Sequence, residues 1–267
     1  YFLGSLAVIM YNICMGILHA IGDSKHPLYY LIFSSCVNIV LDLIFCGGFG
    51  LGVEFAALAT IISQFLSVVL CMSRLMRVDD VYQIQLREVK LDPMMIRQII
   101  KIGLPAGIQG SLFSFSNVII QSSINSFGPT VMSGNAAALN IEGFMYIVLN
   151  AFHQSALNFT GQNIGANKYK RAKKVFVLCL VCVLVIGITL SLCLYFLGPK
   201  LLSIYITDSD EAIRWGMLRM SCLFLPYCLL GLMDVSGGAL RGMGVSFAPM
   251  VISKMMQKFK TVHAGKI

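Results

Sequence analysis

Three acids, Asp42, Glu142 and Asp234, sit inside long apolar runs of the chain. A charge at the centre of a bilayer costs roughly 2.5–3.5 kcal/mol even on the lenient scale. An acid kept there is neutral, paired, or turned toward water. Glu142 lies nine residues past Ser133, about 14 Å along a helix and near the middle of a bilayer about 30 Å thick. Asn135, Glu142, Tyr146 and His153 fall on one helical face, within about 40° of arc. On a wet face Glu142 would exchange a proton; between helices it would be a neutral hydrogen-bonding group. His153 suits plain packing. Asp42 follows Asn38 by four residues, with Ser34 a turn earlier. Such a pair can hold a proton or a sodium ion together with helix carbonyls, or it can pin two helices. Asp234 shares a line with Tyr227 and Arg241 at seven-residue spacing, about 10 Å. It is either an ion-coupling acid or a partner for Arg241.

A second polar stripe, Ser114, Gln121 and Asn125, spans about 40° of another helix. With Tyr146 it is the expected lining of a substrate cavity. The same helix carries Pro105 among Gly103, Gly107 and Gly110. Proline removes a backbone hydrogen bond and bends a helix, so Pro105 is an expected hinge, and the glycines permit close helix contact. Pro226 is a second expected kink. Catalytic patterns are missing: there is no Gly-rich phosphate loop, no HExxH and no His/Cys metal spacing, and the four His do not cluster. Cys179-x-x-Cys182 has redox spacing but lies mid-helix without a second pair, so it reads as small apolar filling. Neither an enzyme nor a metal or organic cofactor is expected.

The elements that must position these groups are membrane helices. The 267 residues are 57% hydrophobic and 12% charged, with mean hydropathy +0.81; a soluble domain carries roughly 25% charge. The reading is an all-α polytopic membrane protein. Seven stretches meet the length of about 20 apolar residues that a span needs: 2–21, 28–47, 53–75, 99–127, 131–158, 175–197 and 212–240. Pro27 suits the first turn of the second, and 46–52 reads as a turn before the third. A weak eighth segment begins near Ser246. Basic residues gather in alternate links, around 74–101 and 168–174 and at Lys25 and Arg241, whereas the opposite links hold Lys200 with Asp208, Asp210 and Glu211. This places the basic links in the cytoplasm and the chain in the cell (inner) membrane. Arg214 and Arg219 break the pattern and are expected at an amphipathic, partly exposed outer end. The net charge of +8 is thereby an orientation signal, and nucleic acid is not an expected partner. The partners expected are the bilayer and a small organic substrate, for a protein acting as a monomer.

One motif comes twice. LHAIGDSKHP at 18–27 and LRGMGVSFAP at 240–249 share Leu18/Leu240, Gly22/Gly244, Ser24/Ser246 and Pro27/Pro249, each at an offset of 222. Each copy links one apolar segment to the next. A doubled bundle is a common transporter plan, and the offset implies a parent of two six-helix lobes. Residues 1–75 are then the last three helices of an N-terminal lobe. Residues 76–98 are a cytoplasmic linker with a helix start at Asp92-Pro93. Residues 99–253 are the first helices of a C-terminal lobe, and 254–267 are a basic tail too polar to span, expected to be truncated or non-native. With no basic region ahead of Tyr1, the opening run is not a signal peptide, and further helices are expected upstream.

Several segments are similar to one family. The Gly22-Asp23-Ser24-x-x-Pro27 turn, the Gly50-x-Gly52…Ala56-Ala57…Ala59-Thr60…Gln64 helix, Gly103-Leu104-Pro105-Ala106, Gly161-Gln-Asn-Ile-Gly-Ala166 and Leu240-Arg241-Gly242 resemble the multidrug and toxic compound extrusion (MATE) antiporters in kind and in order. The resemblance covers about 1–253. It implies twelve helices in two bundles around a cleft, and export of organic, often cationic compounds in exchange for sodium ions or protons. A lipid-linked precursor flippase of the same superfamily is the alternative; it would need cationic cavity lining, and the stripes above contain none. An inactive truncated fragment and a non-transporting scaffold with its polar residues paired helix to helix are the others.

Overall fold

A computed structural model of the chain describes residues 4–49, 53–80, 82–85, 87–207 and 209–251, with 53 and 224–226 described by their backbone alone. The described residues form seven helices and no strand. They are α1 (Ser5–Ala20), α2 (Lys25–Asp42), α3 (Val53–Arg77), α4 (Pro93–Asn125), α5 (Pro129–Gly165), α6 (Tyr169–Tyr205) and α7 (Asp210–Gly242). α2 continues into a π turn, Leu43–Gly48. The chain divides into two compact units, Tyr1–Leu91 and Asp92–Ile267.

Among the described residues three helical segments are long and apolar enough to cross a bilayer: Lys25–Gly48, Glu54–Arg77 and Tyr169–Tyr205. A fourth counts if Asp210–Leu223 and Tyr227–Gly242, inclined at 51°, form one span. The expected kink at Pro226 falls between these two halves, and its side chain lies outside the described residues. α1 is short at 16 residues. α4 and α5, at 33 and 37 residues, have the length but carry too many Gly, Ser, Asn and Gln for an apolar span. Their polar stripes need neighbours other than lipid.

Local chemistry sets the helix ends. Asp92 caps α4, its Oδ1 accepting from the Met94 N–H at 2.8 Å ahead of Pro93. Ser209 caps α7 through the Ala212 N–H at 3.3 Å, with Asp210 and Glu211 in the first turn, where acids suit the helix dipole. Residues 43–48 correct the expected turn. They wind on as a π turn, closed by the Phe49 N–H donating to Ile44 O at 3.0 Å; residues 50–52 lie outside the described residues.

The repeated motif has the same backbone in both units. Gly22 has φ +88° and Gly244 φ +81°, a region costly for residues with a Cβ. The bonds correspond: Gly22 N–H to His19 O at 3.0 Å and Asp23 N–H to Leu18 O at 2.9 Å, against Gly244 N–H to Arg241 O and Val245 N–H to Leu240 O, both at 2.9 Å. Asp23 then accepts from the His26 backbone N–H at 3.2 Å and contacts its ring Nδ1 at 2.6 Å. Burial pushes the Asp23 carboxyl up, but these bonds and a backbone bond from Lys25 outweigh it and hold the group below its ordinary value.

In the first unit Tyr11, Cys14 and Leu18 of α1 pack on Cys71 and Leu75 of α3. α2 joins α3 through Ser34 Oγ, which donates to Ser63 O. In the second unit α5, α6 and α7 share a core. Ala137, Ala138 and Ile141 meet Leu202, Ala212 and Met220 at one end, and Leu149, Ala156, Val183 and Val235 meet at the other. α5 and α7 are in close contact along their length because glycine lines the crossing. A Cβ on Gly134 would strike Ala212 O, one on Gly238 would come 2.6 Å from His153 O, and one on Gly242 would come 2.5 Å from Leu157 O. Close contact was expected at Gly103, Gly107 and Gly110, yet among the described residues nothing lies within 4 Å of a Cβ there. The reason is that α4 stands off the bundle and buries no residue. It also runs as one helix through Pro105.

Candidate functional site

The α5 face predicted from sequence has two neighbours in the second unit. Toward the start of α5 it meets α7. Glu142, 7% exposed, accepts from Arg219 Nε at 2.8 Å and Nη2 at 3.0 Å. This is the planar two-point pairing that guanidinium and carboxylate favour. Arg219 Nη1 donates to Asn135 Oδ1 at 2.6 Å. Asn135 Nδ2 reaches Gln121 Oε1 at 3.4 Å, and Gln121 Nε2 donates to Asn125 Oδ1 at 2.8 Å. Five residues on three helices thus form one polar chain, α4 to α5 to α7.

Further along the same face is a cavity of about 430 Å³. Tyr146, Asn150 and His153 of α5, Gln109 of α4, and Asp234 and Arg241 of α7 line it. His153 Nδ1 contacts Asp234 backbone O at 2.7 Å. A carbonyl only accepts, so Nδ1 carries the proton and Nε2 is left for the cavity. Gly238 makes this approach possible, since its missing Cβ would lie 3.1 Å from that Nδ1. Arg241 does not form the expected pair with Asp234. Its Nη2 donates to Gln109 Oε1 at 2.6 Å, and its Nε is buried without a partner. The cavity therefore carries an acid, a guanidinium and an imidazole, separately presented.

The expected residues are distributed as follows. Glu142, Gln121 and Asn125 belong to the Arg219 chain; Asp234 and Tyr146 line the cavity; Ser114 bonds its own helix at Gly110 O, 3.3 Å away. Asn38 and Asp42 lie in the first unit. There Asn38 Nδ2 and Asp42 Oδ1 are buried without a partner, at the point where α2 passes into its π turn. Among the described residues no group of His, Cys, Asp and Glu could hold a metal ion by side chains alone, and all nine cysteines are free.

Arg219, Gln109 and Asn150 were not expected here. Arg219 was expected at an exposed outer end, but it lies nine residues beyond Asp210, as deep by helix rise as Glu142 is from Ser133, and its side chain is 23% exposed. The same depth arithmetic applied to the cations would have found it. The cationic lining thought missing is supplied to the cavity by Arg241.

Comparison with known proteins places this geometry among transporters. The MatE family model matches residues 105–257. A probable multidrug resistance protein of Bacillus subtilis, YoeA, is 28% identical over 88% of the chain and 52% of its own length. An FAD transporter of Shewanella oneidensis is 24% identical over 88% of the chain and 53% of its own length. The fold matches the outward-facing conformation of a multidrug resistance MATE family transporter with a TM-score of 0.85 at 19% identity, covering 94% of this chain and 56% of that one. The chain spans about half the length of the curated relatives it matches.

Proposed function

The chain belongs to the MatE family, the multidrug and toxic compound extrusion transporters, and on that premise we propose that the protein is a secondary active efflux transporter exchanging sodium ions or protons for organic, often cationic compounds by alternating access. The observation that carries this reading is the cavity lined together by Asp234, Arg241 and His153 among the helices of the second unit. Nothing in packing rewards three titratable side chains around an open volume; a ligand with polar groups does.

The acids divide between two kinds of work. Asp42 Oδ1 is buried without a partner, one turn from Asn38, and a proton or a sodium ion held there with helix carbonyls and, after rotation of the Asn38 amide, its Oδ1 would satisfy it. Asp234 faces the cavity, where a cationic substrate and the coupling ion compete for it. Glu142 is held by Arg219, so it joins the cycle by exchanging that guanidinium for a proton. Only differential affinity of ion and substrate for the two states drives the exchange. Pro105 would absorb bending in α4. The basic links face the cytoplasm, and the protein works as a monomer in the inner membrane.

Arg241 in the cavity lining favours a second reading, in which the exported compound carries an anionic group, as the flavin nucleotide of the Shewanella relative does. The test is the full-length protein in proteoliposomes, with efflux of an organic-cation dye and of a flavin nucleotide followed under separately imposed sodium and pH gradients. Dye efflux driven by one gradient supports the first reading and nucleotide efflux the second. Movement of neither sinks both.

A further inference from the structure

The basic end of α6 lies outside both the cavity around Asp234 and the Glu142–Arg219 chain. The α5–α6 hairpin is set tightly: Asn167 takes a left-handed φ of +57°, and Lys168 N–H donates to Asn163 O at 2.8 Å. α6 then starts with cations on a helix that is otherwise the most apolar span in the chain. Lys170, Lys173, Lys174, Val177, Leu178 and Val181 follow one another at helical spacing on a single face and line one apolar groove. The three lysines are exposed and take no part in the ion pairs among the described residues, which join Asp23 to His26 and Glu142 to Arg219. Val177, Leu178 and Val181 are about half exposed.

Lys173 also borders a second cavity, of about 450 Å³, on the other side of α6. Its walls come from α5, α6 and α7 and are almost wholly apolar: Ile164, Ala172, Phe176 and Met243 among them. Thr160 lines it too. That residue is 3% exposed, and its Oγ1 is buried without a partner, an expense that a native structure rarely carries unless something else supplies the bond. Tyr169, 61% exposed, stands at the same level, where aromatic rings mark the membrane–water boundary.

We propose that this end of α6 is a binding site for an anionic phospholipid. The headgroup phosphate sits among Lys170, Lys173 and Lys174. One acyl chain lies along Val177, Leu178 and Val181, and the other enters the cavity behind Lys173, where the Thr160 hydroxyl meets the ester region. Charge and length both select this occupant. Uncompensated cations at one end of an apolar strip repel a partner helix, which would have to bury them, but match an anionic headgroup. The strip from Lys170 to Val181 is about 16 Å long, close to half of a hydrocarbon core about 30 Å thick. A soluble polar ligand finds almost nothing to bond in either volume. The inference needs the helices to be in a membrane and is independent of what the protein exports.

The test is native mass spectrometry of the full-length protein in detergent, titrated with phosphatidylglycerol and with phosphatidylcholine. Phosphatidylglycerol should be retained preferentially. Neutralising the three lysines (Lys170→Gln, Lys173→Gln, Lys174→Gln) should weaken it roughly tenfold or more, while neutralising Arg87 and Lys90 in the linker and Arg97 in the first turns of α4 leaves it unchanged. Met243→Trp, which fills the apolar cavity and keeps every charge, should also weaken it. Equal loss in both neutralised variants means that net charge alone attracts the lipid and overturns the site. Full displacement by inorganic phosphate means an anion site without chains and overturns it as well. Retention undiminished in Met243→Trp removes the second chain from the cavity and with it the proposal as stated. A thermal midpoint within the range of the unmodified protein shows that the variants are folded.

Discussion

Arg219 reaches Glu142 from 77 residues away with two hydrogen bonds, 2.8 and 3.0 Å, while its third nitrogen holds Asn135 at 2.6 Å. Removing one member of a buried pair strands the other charge and costs about 3–5 kcal/mol, whereas replacing both by apolar residues is often close to neutral. Glu142→Leu and Arg219→Met should each lower stability by that order, and Glu142→Leu with Arg219→Met should recover most of it. The check is a double-mutant cycle on thermal unfolding in detergent. Glu142→Gln in the full-length protein should also lose ion-coupled export while still inserting, and the double apolar variant should regain stability without regaining export. Wild-type efflux from Glu142→Gln would remove Glu142 from the mechanism.

Gly134 and Gly143 lie on one helix and should respond to alanine with opposite signs. A Cβ at Gly134 runs into the α7 backbone at Ala212 and Gly216, and among the described residues one at Gly143 meets nothing within 4 Å. Gly134→Ala should destabilise by about 1–3 kcal/mol through overpacking. Gly143→Ala should stabilise by roughly 0.5–1 kcal/mol through helix propensity. Thermal midpoints of the two variants, compared side by side, decide it.

Much of this architecture is legible in the chain. The seven stretches read from the sequence coincide with the seven helices of the described residues, although only three or four of these are long and apolar enough to span, and the doubled motif foretells a turn whose two copies share a positive-φ glycine and the same bonds, Gly22 with Gly244. Periodicity also groups Asn135, Glu142, Tyr146 and His153 on one face. What it does not give is the partner of that face. The meeting of Glu142 and Arg219 depends on the angle and distance at which α5 crosses α7, and those depend on where a glycine on one helix meets a backbone on the other. Gly134 and Gly238 do so; among the described residues nothing lies within 4 Å of a Cβ on Gly103 or Gly107, alike in sequence. The π turn at Leu43–Gly48 is hidden for a related reason, since two adjacent glycines suit a turn and a wide helical turn equally.

The Asp23–His26 contact predicts a pH dependence at the α1–α2 turn. Asp23 is held below its ordinary value in the folded protein. Its contribution is therefore present above the unfolded carboxyl pKa of about 3.9 and is lost as pH falls through the lower folded value. For a partly exposed pair it amounts to about 0.5 kcal/mol. Asp23→Asn should lower the thermal midpoint slightly at neutral pH and at pH 5, and the difference from the unmodified protein should shrink as pH falls below the ordinary carboxyl range. A difference that grows on acidification would mean that the contact does not favour the ionised form.

Ion coupling through the buried acid of α2 is tested most directly by uptake of the coupling ion itself. Full-length protein reconstituted in proteoliposomes would be given an outward gradient of organic substrate, and inward movement of sodium or protons would be recorded for the unmodified protein, Asp42→Asn and Asn38→Ala. The expected result is substrate-dependent ion uptake in the unmodified protein, its loss in Asp42→Asn, and a weaker ion affinity in Asn38→Ala. Undiminished ion uptake in Asp42→Asn would contradict the coupling role given to that residue, and the absence of any substrate-dependent ion movement in the unmodified protein would contradict the antiporter itself.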